Sequence, residues 1–410
     1  MEETLSEQPQ EDPVERRFGS NQVGVKQFNE RLILDIIRQS GPMSKADISR
    51  ITKLSAQTVT VIVNRLITDG FLLKNQSVKG RIGQPSTPIS LDPDGAVSIG
   101  IKLGRRSLDA VTMSFTNQII GKRSLFYEYP DCDRVFSWIR ENTRSLIADL
   151  TPRQSERLAG VGVATPYMLE GWEGVVGAPK GAMAKWKGVD IGQRIESDLS
   201  MPVHILNDAS AACLAEMSIG DTSKATSFLY FYIGTFVGGG IVTNGKLFTG
   251  LTGNAAALGS IPLHMITETG RVPPPQLIEA ASIHRLEAMA EAAGLDRQTF
   301  YSDKPVTEAA MNIFRVWAID ASSSLAFAII AGQSFLDTGL VIIDGNLSRD
   351  LLDILIDDIR AQMQRYDQQG IEAPQIKAGH LGNDARAKGG AILPLHANFA
   401  PDNNVLLKIR

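Results

Sequence analysis

Short polar side chains near the N-terminus have the chemistry and the spacing needed to contact nucleic acid. A helix is predicted to start after the capping residue Ser55. Its buried stripe is Val59, Ile62, Val63 and Leu66. The opposite face carries amide and hydroxyl groups, which can contact base edges or phosphates in a DNA major groove. The candidate contact residues in and around this helix are Lys53, Ser55, Gln57, Thr58, Thr60 and Asn64.

A basic, glycine-rich hairpin follows this helix. Residues 79–88 read Lys-Gly-Arg-Ile-Gly-Gln-Pro-Ser-Thr-Pro and lie between two apolar runs, 71–73 and 89–91, that can pair as strands. Glycine lets the tip approach a backbone closely, and its basic side chains can meet phosphates or enter a narrow minor groove. The candidate contacts of this wing are Lys74, Lys79, Arg81 and Gln84.

Two further helices are predicted to hold the polar helix in place. Apolar residues at helical spacing predict a first helix over residues 25–39. Ser44 can cap a second helix over residues 45–52, which would bury Ile48 and Ile51. The three helices and the hairpin together are typical of a winged helix-turn-helix that binds DNA. The alternative is that this segment is a helical hairpin used for contacts with other proteins.

The charge of the chain is unevenly distributed. Residues 23–91 hold 10 Lys and Arg against 4 Asp and Glu, a net charge of +6, whereas residues 1–22 carry −4 and residues 92–410 carry −6. A compact basic module on an acidic body is the layout expected of a DNA-binding head on a soluble sensor. The first segment is polar and has no apolar core, so it is predicted to be a disordered tail and not a secretory signal.

Length and composition exclude several classes of protein. A chain of 410 residues with 43% hydrophobic and 21% charged residues is expected to form two or three soluble domains. It has no run of about 18 apolar residues, so no membrane span is predicted. Cys132 and Cys213 form no CxxC pair, which indicates a reducing cytoplasm and argues against a zinc site built on thiolates.

Three motifs in the rest of the chain carry a resemblance to a known family. Residues 84–95 read Gln-Pro-Ser-Thr-Pro-Ile-Ser-Leu-Asp-Pro-Asp-Gly, residues 207–212 read Asn-Asp-Ala-Ser-Ala-Ala, and residues 234–240 read Gly-Thr-Phe-Val-Gly-Gly-Gly. Behind a winged helix, this set is similar to the ROK family of sugar kinases and sugar-responsive repressors. The resemblance covers nearly all of residues 25–400. It implies an α/β body with a two-lobed actin-like ATPase (ribonuclease H-like) fold.

The resemblance also implies a division of the chain into five segments. They are a disordered acidic tail (1–22), a winged helix-turn-helix domain (23–92), a first lobe (93–215), a second lobe whose C-terminal helix returns to the first (216–400), and a tail (401–410).

For Asn207 and Asp208 the resemblance implies roles at a sugar. In the family's kinases this Asp accepts the proton of the sugar hydroxyl that attacks ATP, and the Asn binds the sugar. A repressor can use the same pair to hold a sugar without any transfer. Taken without the family, Asp208 is interpreted as the N-cap of a helix.

Both phosphate loops of the family are altered in this chain. Lys102 stands where an acidic residue would organise hydrated Mg²⁺, and Arg105 and Arg106 replace a glycine and a threonine. A cation cannot coordinate Mg²⁺, so an ordinary turn is expected there, with binding of an anion or a partner carboxylate as the alternative. In the later loop Phe236 replaces a glycine. Nucleotide binding stays open at the vestigial positions Gly234, Thr235, Gly238 and Gly239.

The family's sugar and zinc segment has changed as well. Ala257 and Ser260 stand where the family has a sugar-binding glutamate and a zinc-ligating histidine. Zinc needs about four nitrogen or sulfur ligands, so no zinc is expected. Because both phosphate loops are altered, ATP and Mg²⁺ are not expected as cofactors either. Glu279 is a ligand contact or a solvated helix residue, and Trp186 with Trp172 forms an aromatic wall or packs in a core. The candidate ligand-binding residues are Trp186, Asn207, Asp208, Asn254 and Glu279.

These patterns predict a cytoplasmic, sequence-specific transcriptional regulator, a repressor of carbohydrate-use genes, with no catalytic residues of its own. The expected partners are double-stranded operator DNA, a sugar or sugar derivative as effector, and further copies of the chain in a homodimer or homotetramer, with no membrane. Two alternatives stay open. One is a bifunctional sugar kinase that also binds DNA, and the other is a regulator that responds to a protein or a non-sugar metabolite.

Overall fold

The computed structural model describes residues 22–76, 87–170, 173–222, 225–263, 275–301 and 305–401. Some predictions fall outside these ranges and are not described by the structure. They are the acidic tail up to residue 21, Lys79, Arg81, Gln84, Trp172 and the tail beyond residue 401.

The N-terminal head is a winged helix, as the sequence predicts. Its elements are α1 (Gln22–Ser40), α2 (Lys45–Thr52), α3 (Ala56–Thr68), β1 (Leu72–Lys74) and β2 (Ile89–Leu91). Ser44 Oγ accepts a hydrogen bond from Asp47 N–H at 3.1 Å, and Ser55 Oγ accepts one from Thr58 N–H at 3.1 Å. Both predicted caps therefore form, and β1 pairs antiparallel with β2.

One residue of the head departs from its predicted burial. Ile48 is fully buried, but Ile51 is 43% exposed. Because α2 has only eight residues, it packs through Ile48, and its last turn leaves Ile51 at the surface. The prediction for Ile51 was wrong, whereas the apolar stripe of α3 is buried throughout.

The first lobe is built on a five-stranded sheet. Its strands are β3 (Val97–Leu103), β4 (Ser107–Ser114), β5 (Ile119–Phe126), β6 (Leu158–Thr165) and β7 (Val203–Asn207), in the order β5-β4-β3-β6-β7. Its helices are α4 (Cys132–Ala148), α5 (Pro152–Glu156), α6 (Glu173–Val176), α7 (Ile191–Leu199) and α8 (Asp208–Ile219). Helix α8 is continuous to Ile219, so the lobe boundary expected at residue 215 falls inside a helix.

The second lobe repeats this plan. Its strands are β8 (Phe228–Ile233), β9 (Val237–Thr243), β10 (Lys246–Phe248), β11 (Leu340–Gly345) and β12 (Gln375–Ala378), in the order β10-β9-β8-β11-β12. Its helices are α9 (Leu277–Ala281), α10 (Ile283–Ala292), α11 (Glu308–Leu336), α12 (Arg349–Met363) and α13 (Ala385–Phe399).

Both sheets consist of three antiparallel strands followed by two parallel ones. This duplicated topology is the two-lobed actin-like fold that the sequence predicts. The lobes meet at what is called here the interlobe cleft, the boundary where Arg386 contacts Asp208 and Asn346. In open α/β sheets, ligands bind beyond the carboxyl ends of the strands, and β7 and β11 end at this boundary.

Helix α13 packs on the sheet of the first lobe. Ser98 Oγ of β3 donates a hydrogen bond to Ala391 O at 2.6 Å. The contact with α8 is so close that a Cβ atom at Gly389 would lie 1.9 Å from Ala211 O. Only glycine fits at that position of the helix crossing.

The head packs directly on the body. Phe71 of the head, Phe115 of the first lobe and Phe399 of α13 form one aromatic cluster with ring centroids 4.9–5.9 Å apart. Arg157 of the first lobe donates a hydrogen bond to Asp69 O of the head at 2.8 Å. The head and the body are therefore joined by packed aromatic side chains and a hydrogen bond.

Helix α11 is the one helix in the described ranges that is long and apolar enough to cross a membrane. Half of its most apolar 18-residue stretch is buried, and Phe314, Trp317 and Ile329 lie fully buried in the core of the second lobe. Core packing accounts for the buried half of its apolar side chains, whereas Val316, Ile319 and Phe335 are exposed.

Candidate functional site

The outward face of α3 presents amide and apolar side chains to solvent. Gln57, Thr60 and Asn64 are exposed, and Val61 is 64% exposed. The Thr60 hydroxyl is engaged with Ala56 O at 2.8 Å, so the amides and the valine methyl groups are what this face offers. Amides pair with adenine edges, and methyl groups can pack against thymine methyls.

Two of the predicted contact residues have local partners. The hydroxyls of Ser55 and Thr58 hydrogen-bond to each other at 2.8 Å at the start of α3. Thr58 N–H is used by the cap at Ser55, so the start of α3 offers a DNA phosphate the positive end of the helix dipole and not that N–H group.

A group of lysines borders this face. Lys45 Nζ donates a hydrogen bond to Asn64 Oδ1 at 2.8 Å. Burial and the neighbouring charge of Lys74 lower the pKa of Lys45. Lys53 is exposed in a left-handed conformation (φ 61°) between α2 and α3. Sequence reasoning missed Lys45, although its place at the start of α2 beside a recognition helix was a usable signal.

In the interlobe cleft, Asp208 is paired with a cation. Arg386 Nη1 donates to Asp208 Oδ2 at 3.4 Å, and Arg386 Nη2 donates to Asn346 Oδ1 at 3.4 Å. The guanidinium also lies 4.8 Å from the ring centroid of Tyr232. Burial opposes the charged form of Arg386, but Tyr232 and Asp208 outweigh it and raise the pKa of Arg386. The arginine therefore holds a permanent positive charge beside the carboxylate.

Asn207, rather than Asp208, caps α8. Asn207 Oδ1 accepts hydrogen bonds from Ala209 N–H at 3.0 Å and Ser210 N–H at 3.4 Å. Asp208 is the first residue inside the helix. The capping interpretation of Asp208 was thus wrong by one residue. The Nδ2 group of Asn207 has no hydrogen-bond partner in the part of the chain that the structure describes, which leaves it able to donate to a ligand.

Lys102, which the family resemblance places at the position of a metal-binding carboxylate, contacts neighbours in its own lobe. It is 3% exposed, and its Nζ donates to Asp109 Oδ2 at 3.0 Å and to Ser107 Oγ. Burial lowers the pKa of Lys102 to about 8, with the charge of Arg386 acting in the same direction.

The two altered phosphate loops touch each other. The Arg105 guanidinium lies 4.2 Å from the ring centroid of Phe236. Arg105 Nη2 also donates to Met168 O at 3.3 Å. The two residues that replace family glycines thus form a cation–π contact between the lobes. The turn expected at residues 104–106 is present, between β3 and β4.

The later glycine loop is closed by the start of α10. Val237 N–H donates to Ser282 Oγ at 2.9 Å, and Gly234 O accepts from Ile283 N–H at 2.9 Å. The glycines of β9 allow close packing, since a Cβ atom at Gly240 would lie 2.4 Å from Cys213 Cβ. This geometry favours a structural role for Gly234, Thr235, Gly238 and Gly239.

The other predicted ligand contacts lie apart from Asp208 or serve the fold. Trp186 is 3% exposed, and its indole N–H donates to Pro130 O at 2.8 Å, which favours packing over an aromatic wall. Glu279 is exposed and accepts from Gln276 N–H at 3.3 Å at the start of α9, which favours the solvated-helix alternative. Asn254 is half-buried between β10 and α9.

The residues present do not fit the metal ions that the family's kinases use. A Mg²⁺ ion needs oxygen ligands, yet Lys102 stands at the first loop and Asp208 is paired with Arg386. At the zinc position Ser260 is exposed and supplies a hydroxyl, which is not a usual zinc ligand. The segment 264–274, with His264, lies outside the described residues.

Comparison with known proteins agrees with this architecture. The pattern of the ROK family matches residues 98–397, and that of a winged helix-turn-helix DNA-binding domain matches residues 29–72. The chain is 27% identical over 247 residues to the xylose repressor of Caldicellulosiruptor bescii, which covers 58% of this chain and 59% of the repressor. The match therefore spans less than two thirds of that relative.

Solved structures share the fold at lower identity. A ROK family transcriptional regulator, a homolog of the E. coli MLC protein, matches with a TM-score of 0.63 and 20% identity, over 92% of this chain and 97% of the other. A ROK family glucokinase from Streptomyces griseus, solved with glucose and AMPPNP, matches with a TM-score of 0.56 and 20% identity, over 73% of this chain and 99% of the other. Because the family pattern covers well over half of its residues, the chain belongs to the ROK family.

Proposed function

We propose that this protein is a DNA-binding transcriptional repressor of carbohydrate-use genes that acts in the cytoplasm. The observation that carries the proposal is the exposed face of α3, where Gln57, Val61 and Asn64 stand beside Lys45 and Lys74. Such a face suits base contacts in a major groove, with the lysines on the flanking phosphates. The printed name of the xylose repressor, a relative over part of its length, supports the same role.

The body senses a ligand and does not transfer phosphate. In a kinase, the base must be free to accept a proton from the attacking hydroxyl. Here Arg386 neutralises Asp208, and Lys102 and Arg105 place positive charge where a hydrated metal ion would sit. Ammonium and guanidinium groups have no lone pair to offer a metal ion, so Lys102 and Arg105 could not hold Mg²⁺.

The effector is a monosaccharide or a derivative of one. Asn207 Nδ2 can donate to a sugar hydroxyl, and the Asp208 carboxylate can accept from one in addition to its bonds with Arg386 and Ala209 N–H. Asn254 and Glu279 remain candidates for further contacts. The relative named as a xylose repressor supports this ligand class.

A homo-oligomer would place two heads on successive major grooves of a near-palindromic operator. Helix α8 starts at Asp208, and α13 starts beside Arg386 and ends in the aromatic cluster with Phe71 of the head. A ligand in the cleft that shifts these two helices would change how the head sits on the body, and so the affinity for DNA.

The test is selection of genomic fragments by the purified protein at about 150 mM salt. Wild type should retain a small set of related sequences. A variant with Gln57→Ala and Asn64→Ala should lose them, whereas the matched exposed change Gln369→Ala should not. Equal, unselective retention by all three proteins would contradict the proposal.

A further inference from the structure

A large cavity lies between the head and the body, away from Asp208. Its volume is about 1090 Å³, and it is lined by α1, the turn after β4, α8, β10 and α13. One wall is apolar and includes Leu214 and Met217 of α8 and Leu395 of α13. Nothing in the proposed sensing of a sugar in the interlobe cleft uses this space.

Arg38 of α1 lines this cavity without the partners that a buried arginine normally has. Its Nε and Nη2 atoms are buried and have no hydrogen-bond partner among the residues that the structure describes. The guanidinium is stacked on the ring of Phe115, 4.8 Å from its centroid. A buried cation with unused donors lowers the stability of the folded state unless a partner compensates it.

The carboxylate of Asp35, the nearest one on α1, does not pair with Arg38. Asp35 is one turn earlier on α1, but within the described ranges it forms no ion pair with Arg38 within 4.0 Å, and its Oδ2 instead accepts from Gln39 Nε2 at 2.9 Å. Burial raises the pKa of Asp35 and lowers the pKa of Arg38. Arg31 and Lys246 add further positive charge to the lining.

We propose that this head–body cavity binds a small organic anion, whose carboxylate or phosphate group meets the Arg38 guanidinium and whose apolar part rests on α8 and α13. A planar guanidinium with paired donors matches a carboxylate or phosphate oxygen pair. Because Nε and Nη2 are buried in this structure, the anion would meet them once the guanidinium turns from Phe115 toward the cavity. The mixed apolar and polar lining is typical of sites for small molecules.

Such a ligand would act on the head from a second position. It would bridge α1 of the head to the same two helices, α8 and α13, whose other ends lie at Asp208 and Arg386. Filling the cavity would hold the head in one placement and so change its affinity for DNA. The inference goes beyond the proposed function and depends on it only for the DNA measurement.

The experiment is calorimetric titration of the full chain with inorganic phosphate, glucose 6-phosphate, citrate, benzoate and glucose. At least one anion should bind with one site per chain and raise Tm by about 1–3 °C at tenfold excess over its Kd. Glucose should not compete with it. Preference for the two phosphates or for the two carboxylates identifies which oxyanion the site takes.

Three variants test whether Arg38 binds the anion. Arg38→Met should bind the anion at least 30-fold more weakly and should melt no lower than wild type, since it removes a buried unpaired cation. Arg38→Lys, which keeps the charge but not the paired donors, should weaken binding about tenfold. The exposed control Arg134→Met should bind as wild type does.

The proposal is overturned if no anion binds, or if Arg38→Met and Arg38→Lys bind it as tightly as wild type does. DNA affinity separates this failure from that of the proposed function. A wild type that selects no DNA but binds the anion through Arg38 contradicts only the repressor role. A wild type that selects DNA but binds no anion contradicts only the site.

Discussion

The outward face of α3 and the interlobe cleft both hold polar side chains, but they use them in opposite ways. On α3, Gln57 is exposed and has no hydrogen-bond partner within the described part of the chain. In the cleft, Asp208 is matched by Arg386, and Lys102 is matched by Asp109. The polar groups on α3 are therefore available to an external partner, whereas most charged groups in the cleft are paired with each other.

Under the proposed function, this difference separates a surface that recognises DNA from a cleft that binds a ligand without phosphoryl transfer. A phosphoryl-transfer site needs an unpaired base and oxygen ligands for a metal ion. In the cleft, Asp208 is paired with Arg386, and Lys102 lies at the first loop. A DNA-reading surface needs donors and acceptors that water alone satisfies before binding, and α3 presents them. The following changes should act on both regions, on one, or on the other.

The largest effect on stability is expected at the contact between α8 and α13, the two helices that connect the cleft to the head. Gly389→Val would drive a side chain into Ala211 O, 1.9 Å from the ideal Cβ position, and should destabilise the fold by about 4 kcal/mol. Chemical denaturation measures the change. Gly339→Val, at an exposed glycine with open space, is the control and should stay within about 0.5 kcal/mol of wild type. Equal stability of the two variants would contradict the close α8–α13 contact.

The next effect should be confined to the head. Gln57→Glu places a negative charge on the face proposed to meet DNA and should weaken binding to a selected operator about 100-fold, or about 3 kcal/mol. Tm should not change because residue 57 is exposed. Fluorescence anisotropy with labelled operator gives the affinity, and Gln369→Glu controls for added charge. An unchanged affinity would remove α3 as the reading element.

A third change should affect the cleft alone. Arg386→Met leaves Asp208 beside an apolar side chain and should cost about 2 kcal/mol of stability, because one partner of a largely buried pair is removed. Adding Asp208→Asn should recover about 1 kcal/mol by removing the stranded charge. A double-mutant cycle by urea denaturation measures this coupling. Strictly additive losses would show that the two side chains do not interact.

The smallest effect is a pH dependence that originates at Lys102. Its pKa is lowered from 10.5 to about 8 by burial. Between these values the unfolded chain keeps a proton that the folded chain has released, so unfolding free energy should rise with pH. Wild type should gain about 1–2 kcal/mol relative to Lys102→Met between pH 8 and pH 10. Parallel pH profiles of the two proteins would contradict the buried position of this lysine.

Features that depend on residues close together in the sequence were predicted better than features that depend on residues far apart in the sequence. The caps at Ser44 and Ser55 are local rules, and both form as predicted. Ile51 was predicted wrongly because helical periodicity gives a face but not the length of a helix that its neighbours cover.

The cleft was less predictable. The motif at Asn207 and Asp208 was recognised, but the partner of Asp208 lies 178 residues further along the chain. No spacing rule connects Arg386 to Asp208, since the contact exists only once α13 has returned to the first lobe. The packing of Trp186 against Phe136, with ring centroids 5.6 Å apart, likewise depends on tertiary structure.

One measurement tests the central claim most directly. The protein is incubated with ATP, Mg²⁺ and a panel of monosaccharides, and both operator affinity and sugar phosphate are measured in the same mixtures. The account predicts that at least one sugar changes operator affinity while no sugar phosphate forms. Turnover of a sugar that Asp208→Asn abolishes would contradict it, because it would show that Asp208 acts as a base although it is paired with Arg386.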